Sequence, residues 1–507
     1  MNTFMNELEK TTNFTTTTNG ATAHKSTLSK VYDLFAFGGA YRNRSEADCI
    51  NLFKNAYEED SSMALKCLFY LVDVRGGQGE RRFFRVCFAW LCNEHPEVAF
   101  RLVDKIPFFS RWDNILYAIP DSATYVKNEA YEVIKTQLAL DMDSKTPSLM
   151  GKWLPSENAS AQKTKNEAHK LRKYLGYSHK EYRQILSALR KKINVLERLM
   201  SSNQWDKIEF DKIPSKAGLI YKNAFARNDI TSERYKAFAA NKNTKVNAST
   251  LYPYDVVKKA IDFNYSYGFY GNSETDRNMI NKYWENLPDY LNGADCKMLC
   301  VCDTSGSMRG GAAAAPINVA IGLSMYCAER IGGPFKNHYI SFSSRPQLIE
   351  TKGVDFVDKV KRIYDTNLCE NTNLVAVFNL LKDTALKANV KKEDMPETIV
   401  VISDMEIDAG TSPCCWRKYN DFKRWTTKSA STEMEKIREE WAAAGLTLPR
   451  IVYWNVNATT DIILDSGPDV TFVSGASPII FKSVITGKTG IDIMLEVLLN
   501  DRYANIF

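Results

Sequence analysis

MLCVCDTSGSM, residues 298–308, reads as a buried strand running straight into a polar loop. A short apolar run bounded by turn residues is the pattern of a strand covered on both faces, as in a parallel sheet. The loop, Asp303-Thr304-Ser305-Gly306-Ser307, sets one carboxylate and two hydroxyls within five residues, a DxSxS pattern. Oxygen-only ligation suits a hard divalent cation such as Mg²⁺, or Mn²⁺ in its place. Gly306, with no Cβ, lets the loop curl so that both hydroxyls face inward. Taken alone, the pentapeptide is also what an ordinary Ser-rich turn looks like.

The sequence on either side decides between these readings. After Asn292-Gly293, further short runs recur at 338–342 (HYISF), 398–402 (TIVVI), 451–456 (IVYWNV) and 470–473 (VTFV). Helical stretches at 317–330, 374–388, 432–444 and 491–499 lie between or after them. Strands alternating with helices imply a mostly parallel sheet with helices on both faces, whose ligand sits beyond the carboxyl ends of the strands. Residues 292–507 are therefore expected to form a doubly wound α/β domain. Two further oxygen sources stand where such a site needs them: Asn371-Thr372-Asn373 opens a helix, and Ile402-Ser403-Asp404 ends a strand.

With all five positions in order, the segment resembles a von Willebrand factor A domain carrying a metal-ion-dependent adhesion site. The resemblance implies that Ser305, Ser307 and Thr372 are direct hydroxyl ligands and that Asp303 and Asp404 act through coordinated water. It also implies that the sixth coordination place receives an acidic group from a partner, so that the site serves recognition. Glu406 and Asp408 add negative charge to its rim.

Upstream the grammar is helical. Residues 1–27 are Thr-rich and poor in large apolar groups, which predicts a mobile arm; residues 28–291 predict helices at 62–74, 81–91, 130–140 and 182–200. Short connections such as Gly76-Gly77-Gln78-Gly79 suggest helix pairs stacked in a HEAT-like solenoid, although no clean repeat period appears. Charge is concentrated here. The whole chain of 507 residues has 66 Lys+Arg against 60 Asp+Glu, a net of +6, yet residues 151–250 hold 21 against 9. Within that segment, Lys163, Lys165, Lys170, Arg172, Lys173, Lys180, Arg183, Arg190, Lys191 and Lys192 are interleaved with Tyr174, Tyr177 and Tyr182. Such a run is either a solvated helix face or an RNA surface, in which cations neutralise phosphates and rings stack on unpaired bases.

A helical-repeat module followed by such an α/β domain is similar to the Ro (TROVE) ribonucleoproteins. That resemblance implies noncoding or misfolded RNA, bound through single-stranded regions, as a partner. Six motifs, FAFGGAYRNRS (35–45), VRGGQGERR (74–82), SRWDNIL (110–116), KWLPSENAS (152–160), SDMEID (403–408) and RIVYWNVNA (450–458), resemble a family of plant, bacterial and phage proteins joining the same two parts. In VRGGQGERR, Arg75, Arg81 and Arg82 surround three glycines, so the loop is either a phosphate cradle or a plain interhelical turn. It lacks the Lys-Ser/Thr ending of a nucleotide-hydrolysing loop.

Composition narrows the remaining classes. With 44% hydrophobic and 25% charged residues, the chain is globular, and its length corresponds to about three domain equivalents. Eleven cysteines, among them Cys414 and Cys415, form no CxxC pair, as expected of reduced, buried thiols in the cytoplasm. Residues 310–328 carry no charge but are Gly- and Ala-rich with polar interruptions, a poor membrane span. An aspartate-based phosphotransferase needs a second acid at position 305, where a serine stands, and no HExxH or GxSxG motif is present. The sequence thus predicts a non-enzymatic, RNA-associated binding protein with a metal-dependent adhesion site and no membrane contact. The alternative is a protein-interaction or assembly component, viral ones included, that uses the metal site without RNA.

Overall fold

The computed structural model describes residues 13–17, 22–265, 273–309, 315–366, 372–407, 433–465, 467 and 469–507. Asn371, Asp408, Cys414 and Cys415, read from the sequence above, lie outside the described residues.

The C-terminal part is a six-stranded mixed sheet. In chain order, β1 (Phe14–Thr16) and β2 (Thr22–His24) form a separate antiparallel pair. The main sheet comprises β3 (Met298–Cys302), β4 (His338–Ser341), β5 (Leu348–Glu350), β6 (Thr398–Ser403), β7 (Arg450–Asn455) and β8 (Val470–Ser474), in the order β5-β4-β3-β6-β7-β8. Only β5 runs antiparallel to its neighbour. All five residues of β3 and of β8 are buried, as the continuous apolar runs predict for strands covered on both faces. The helix Pro316–Arg330 packs against β3, β4 and β6, and thirteen of its residues are buried. That is why its sequence lacks a polar stripe.

Register places the site. β3 and β6 pair in parallel with Met298 opposite Thr398 and Cys302 opposite Ile402, so Asp303 and Ser403-Asp404 leave the sheet side by side. The Asp303 N–H donates to the Ile402 carbonyl at 3.1 Å, which extends the ladder one residue into the loop.

The N-terminal part is helical, from Lys30–Phe37 through Glu274–Glu285. The expected helix over 182–200 is instead two, His179–Lys192 and Leu196–Ser201, because Asn194 adopts a left-handed φ of 49° between them. β5 and the helix Phe356–Thr366 were not legible in the sequence: the first is a three-residue edge strand, and the second connects it back to the sheet.

The described part of residues 1–27 is not the mobile arm expected from its composition. His24 and Ile463 exchange backbone hydrogen bonds at 2.7 and 2.9 Å, Ala23 and His24 are buried, and Thr17 Oγ1 donates to the Ile407 carbonyl at 2.8 Å. Threonine has high strand propensity, and here the strand pair is covered by the C-terminal domain. The two parts are joined elsewhere as well. Buried Asp73, at the end of the helix Ser61–Val72, receives a two-point contact from Arg502 (Nη2 at 2.8 Å) and the Tyr503 hydroxyl at 3.0 Å.

Candidate functional site

The loop after β3 closes on the loop after β6. Asp303, fully buried, accepts the Ser305 N–H on Oδ1 at 2.9 Å and the Ser403 hydroxyl on Oδ2 at 2.5 Å. The Ser305 and Ser307 hydroxyls are 3.1 Å apart, and Asp404 Oδ1 accepts from the Glu406 N–H at 3.3 Å. Thr372 lies just before Asn373, whose side chain caps the helix Leu374–Lys387 by accepting from the Ala376 N–H at 2.9 Å. Its hydroxyl donates to the Glu406 carbonyl at 2.8 Å, tying it to the loop that carries Asp404. Asp303, Ser305 and Ser307 are thus linked in a chain of hydrogen bonds, Ser403 ties Asp303 to the loop that carries Asp404, and Thr372 joins through the same loop.

Two features mark the cluster as poor in counter-charge among the described residues. Burial first, and then the neighbouring Asp404, push the Asp303 carboxyl up to about 6. Burial raises Asp404 as well, and its Oδ2 is a buried oxygen with no hydrogen-bond partner among the described residues. An orphaned carboxylate oxygen costs about 1–3 kcal/mol or more unless something cationic faces it. Two carboxylates and three hydroxyls fit a hard oxygen-seeking divalent cation. Among the described residues no three His, Cys, Asp or Glu side chains converge, so a nitrogen- or sulfur-rich site is not offered. Between Asp404 and Glu406, Met405 takes a φ of 66°, a left-handed conformation that an unbranched L residue adopts at a cost of about 1–3 kcal/mol.

Glu406 does not extend the rim as the sequence suggested. It is buried, and its Oε1 accepts from the Thr459 and Thr460 hydroxyls at 2.5 and 2.8 Å. The 457–461 segment is in turn held by FAFGGAYRNRS. Asn43 Nδ2 donates to Asn457 at 3.0 Å, the Ala458 N–H to the Ala40 carbonyl at 3.1 Å, and the Tyr41 hydroxyl bonds Asp461. Gly39 is required there, since a Cβ would stand 2.9 Å from the Ser474 backbone. FAFGGAYRNRS, SDMEID and RIVYWNVNA therefore meet at one end of the sheet.

The ten cations of 163–192 do not form one surface. Arg172 is buried and binds Glu157 at 2.8 Å and the Tyr177 carbonyl at 2.6 Å. Arg190 binds the carbonyls of Gly151 and Leu154 and the Ser156 hydroxyl, at 2.9–3.1 Å. Lys192 binds the Asp141, Met142 and Ser144 carbonyls, and Lys170 pairs with Asp121 at 2.6 Å. These four stabilise the fold. Lys163 lies over the Tyr117 ring, Lys165 and Arg183 border a recess beside His169 and His179, and Lys173, Lys180 and Lys191 are exposed.

Sequence reasoning missed a larger feature. The helices border a half-open cavity of ≈1210 Å³ that adjoins a second of ≈1020 Å³, with Gly79, Arg81, Arg111, Lys216 and Tyr252 common to both walls. VRGGQGERR, SRWDNIL and KWLPSENAS all border the first. The glycine loop is an interhelical turn: the N–H groups of Arg75, Gln78, Gly79 and Glu80 are spent on Asp73, Tyr70 and Leu71. Gly77 is needed where a Cβ would lie 1.9 Å from the Tyr70 carbonyl oxygen. The loop's contribution to the cavity is the side chains of Arg75 and Arg81.

The fold and site define a two-part chain, helical and then α/β, with an oxygen-lined cluster at the carboxyl ends of two parallel strands. Residues 297–499 match a domain of unknown function, DUF7788, and residues 17–107 and 147–294 match a second, DUF2828. The chain is also 26% identical, over 519 aligned positions, to an uncharacterized protein of Acanthamoeba polyphaga mimivirus, covering 94% of this chain and 85% of that one. Among the described residues, no helix is long and apolar enough to cross a membrane.

Proposed function

We propose that the protein is a non-enzymatic, cytoplasmic, RNA-associated binding protein whose α/β domain is von Willebrand factor A-like. Ser305, Ser307, Thr372, Asp303 and Asp404 hold Mg²⁺ or Mn²⁺, and the cation captures a carboxylate or phosphate from a partner. The observation that carries this reading is the pair of buried carboxylates, Asp303 and Asp404, set against three hydroxyls, with one carboxylate oxygen unpartnered among the described residues. A bound divalent cation supplies the missing positive charge and an electrophilic place for an external anion. The protein's own contribution is to fix the donors: the β3–β6 register aligns the two carboxylates, Ser403 orients Asp303, and Asn373 caps the helix that follows Thr372.

The test is Mn²⁺ titration of the full chain followed by electron paramagnetic resonance. Ser305→Ala is expected to weaken Mn²⁺ binding at least tenfold, about 1.4 kcal/mol, with an unchanged circular dichroism spectrum. Equal binding by variant and wild type refutes the site. The RNA part draws its support from the concentration of positive charge in residues 151–250 and from the basic cavity that the helices border. It predicts binding of single-stranded RNA above a charge-matched control protein at physiological salt; no excess binding refutes that part alone.

A further inference from the structure

We propose that the half-open cavity of the helical region is a docking site for an acidic protein segment carrying aliphatic side chains, with its carboxylates on Arg75, Arg81 and Arg198 and its aliphatic groups on Leu149, Ile220 and Trp112. This goes beyond the reading above: it uses neither the metal site nor RNA, and RNA is the rival occupant that the experiment admits or removes.

The first argument is charge. The wall of the cavity carries eight Lys or Arg against two Glu. Glu157 is engaged by Arg172 and His179, and Glu197 by the Tyr221 hydroxyl. Several of the cations are spent as well: Arg190 on the Gly151 and Leu154 carbonyls and the Ser156 hydroxyl, Arg111 on Asp113, and Lys216 on Asp255. Arg75, Arg81 and Arg198 make no side-chain hydrogen bond or ion pair among the described residues. Arg81 is also crowded by its own kind: burial lowers its proton affinity, and Arg111 and Arg85 lower it further. An external carboxylate relieves that crowding.

The second argument is the lining, which separates a peptide from a nucleic acid. Two helices turn a mixed stripe toward the cavity: Arg183, Leu186, Ser187 and Arg190 on the helix His179–Lys192, and Lys216, Ala217, Ile220 and Tyr221 on the helix Ser215–Arg227. Spacings of three and four residues put each set on one helix face. Ile220 is 69% exposed and Leu149, just before the helix Met150–Trp153, is 53% exposed, so two large aliphatic side chains stand open to water within one recess. Trp112 borders the same recess half-buried. Covering such groups with other apolar groups is favourable in proportion to the area removed from water. A nucleic-acid strand offers flat bases that stack on open aromatic faces, whereas the Trp153 ring is already covered by the Arg111 guanidinium at 4.1 Å. A chain mixing carboxylate and aliphatic side chains answers both the unpaired guanidinium groups and the open aliphatic ones, combining acidic-motif capture by arginines with apolar anchoring in a groove. At ≈1210 Å³ the cavity exceeds the span of about 300–1,000 Å³ usual for small ligands, which favours a segment of chain over a metabolite.

The test uses the full chain and two fluorescein-labelled peptides of twelve residues, one repeating Glu-Glu-Leu and the other Glu-Glu-Ser, read by anisotropy at physiological salt. The leucine peptide is expected to bind at least about tenfold tighter than the serine peptide, and Leu149→Ser combined with Ile220→Ser to erase that difference; both positions are exposed, so the fold is retained. Arg75→Glu combined with Arg198→Glu is expected to weaken the leucine peptide about 100-fold, since like charges then face each other. Equal affinity of the two peptides, no loss in either variant, or no peptide binding at all overturns the proposal. Photocrosslinks from a leucine peptide carrying one benzoylphenylalanine, mapped by mass spectrometry, should fall in 149–158, 183–198 and 214–221; they locate the segment even if the arginine variant fails to fold, and crosslinks confined to other segments overturn the proposal. A twelve-nucleotide oligouridylate is the rival ligand. Stoichiometric displacement of the peptide by it, at an affinity that the Leu149→Ser and Ile220→Ser pair leaves unchanged, overturns the peptide in favour of RNA. Its failure to displace the bound peptide supports the peptide site, and its failure to bind at all overturns only the RNA reading above.

Discussion

Asp303 and Asp404 stand a hundred residues apart, yet one strand pairing brings them together. Arg75, Arg111, Arg183 and Arg198 are spread over a similar length of chain, but they meet only because several helices pack around a common space. The first site is fixed by register, a discrete property: a slip of one residue in β6 would turn every side chain to the opposite face and separate the carboxylates. The second is fixed by the angles at which helices pack, which vary continuously. The carboxylate–hydroxyl cluster should therefore be rigid and intolerant of substitution, whereas the cavity should tolerate changes in its charged wall and depend on the packing behind it.

The largest effect is expected at the joint between the two regions. Asp73→Ala removes the buried carboxylate shared by Arg502 and Tyr503 and is expected to cost about 3–5 kcal/mol. Chemical denaturation followed by tryptophan fluorescence should show one transition shifted as a whole. Two separate transitions in the wild type would mean that the regions are energetically independent.

Next in size is the response of the cluster to pH. The Asp303 carboxyl sits at about 6 in the folded chain against 3.8 for an ordinary aspartate. The folded state therefore holds this proton more tightly than the unfolded one. The resulting stabilisation, about 3 kcal/mol, is complete below pH 3.8 and is lost as pH rises through about 6. In chelator, thermal melts should show this loss between pH 4 and pH 7, and Mg²⁺ should restore stability at pH 8 but not at pH 4. An unchanged profile in Asp303→Asn would remove Asp303 as its source.

Arg190→Ala separates scaffold from binding surface. Losing three bonds to buried carbonyl and hydroxyl groups is expected to cost about 1–3 kcal/mol and to lower the thermal midpoint without changing the salt slope of RNA binding. A flatter slope would place Arg190 on the RNA instead. The smallest effect is expected at Lys173→Ala and Lys180→Ala, exposed positions where stability should stay within about 0.5 kcal/mol.

The α/β part was largely legible because its signals are local. MLCVC, TIVVI and VTFV are strands within a residue of their observed ends, and all five oxygen donors come from strand ends or a helix start, where sequence patterns are strongest. The helical part was legible as helices but not as a surface. Spacing along one helix shows which residues share its face, but not which helix covers that face. Arg172 and Arg190 therefore looked like their exposed neighbours until Glu157 and the Gly151 carbonyl were found against them. Glu406 was misread for the same reason, since its partners Thr459 and Thr460 lie fifty residues away.

What the amino-acid order determined alone was the alternation of elements, the change of grammar near residue 292 and the chemistry of each donor, because apolar period and side-chain type are properties of neighbouring residues. Only the tertiary structure decided the packing of the N-terminal strand pair against Ile463, the gathering of motifs from distant parts of the chain, with Arg42 of one paired to Glu80 of another at 2.8 Å, and the choice of cations spent on the scaffold. Those depend on contacts between residues tens to hundreds of positions apart, which form only when several elements bury their apolar faces together.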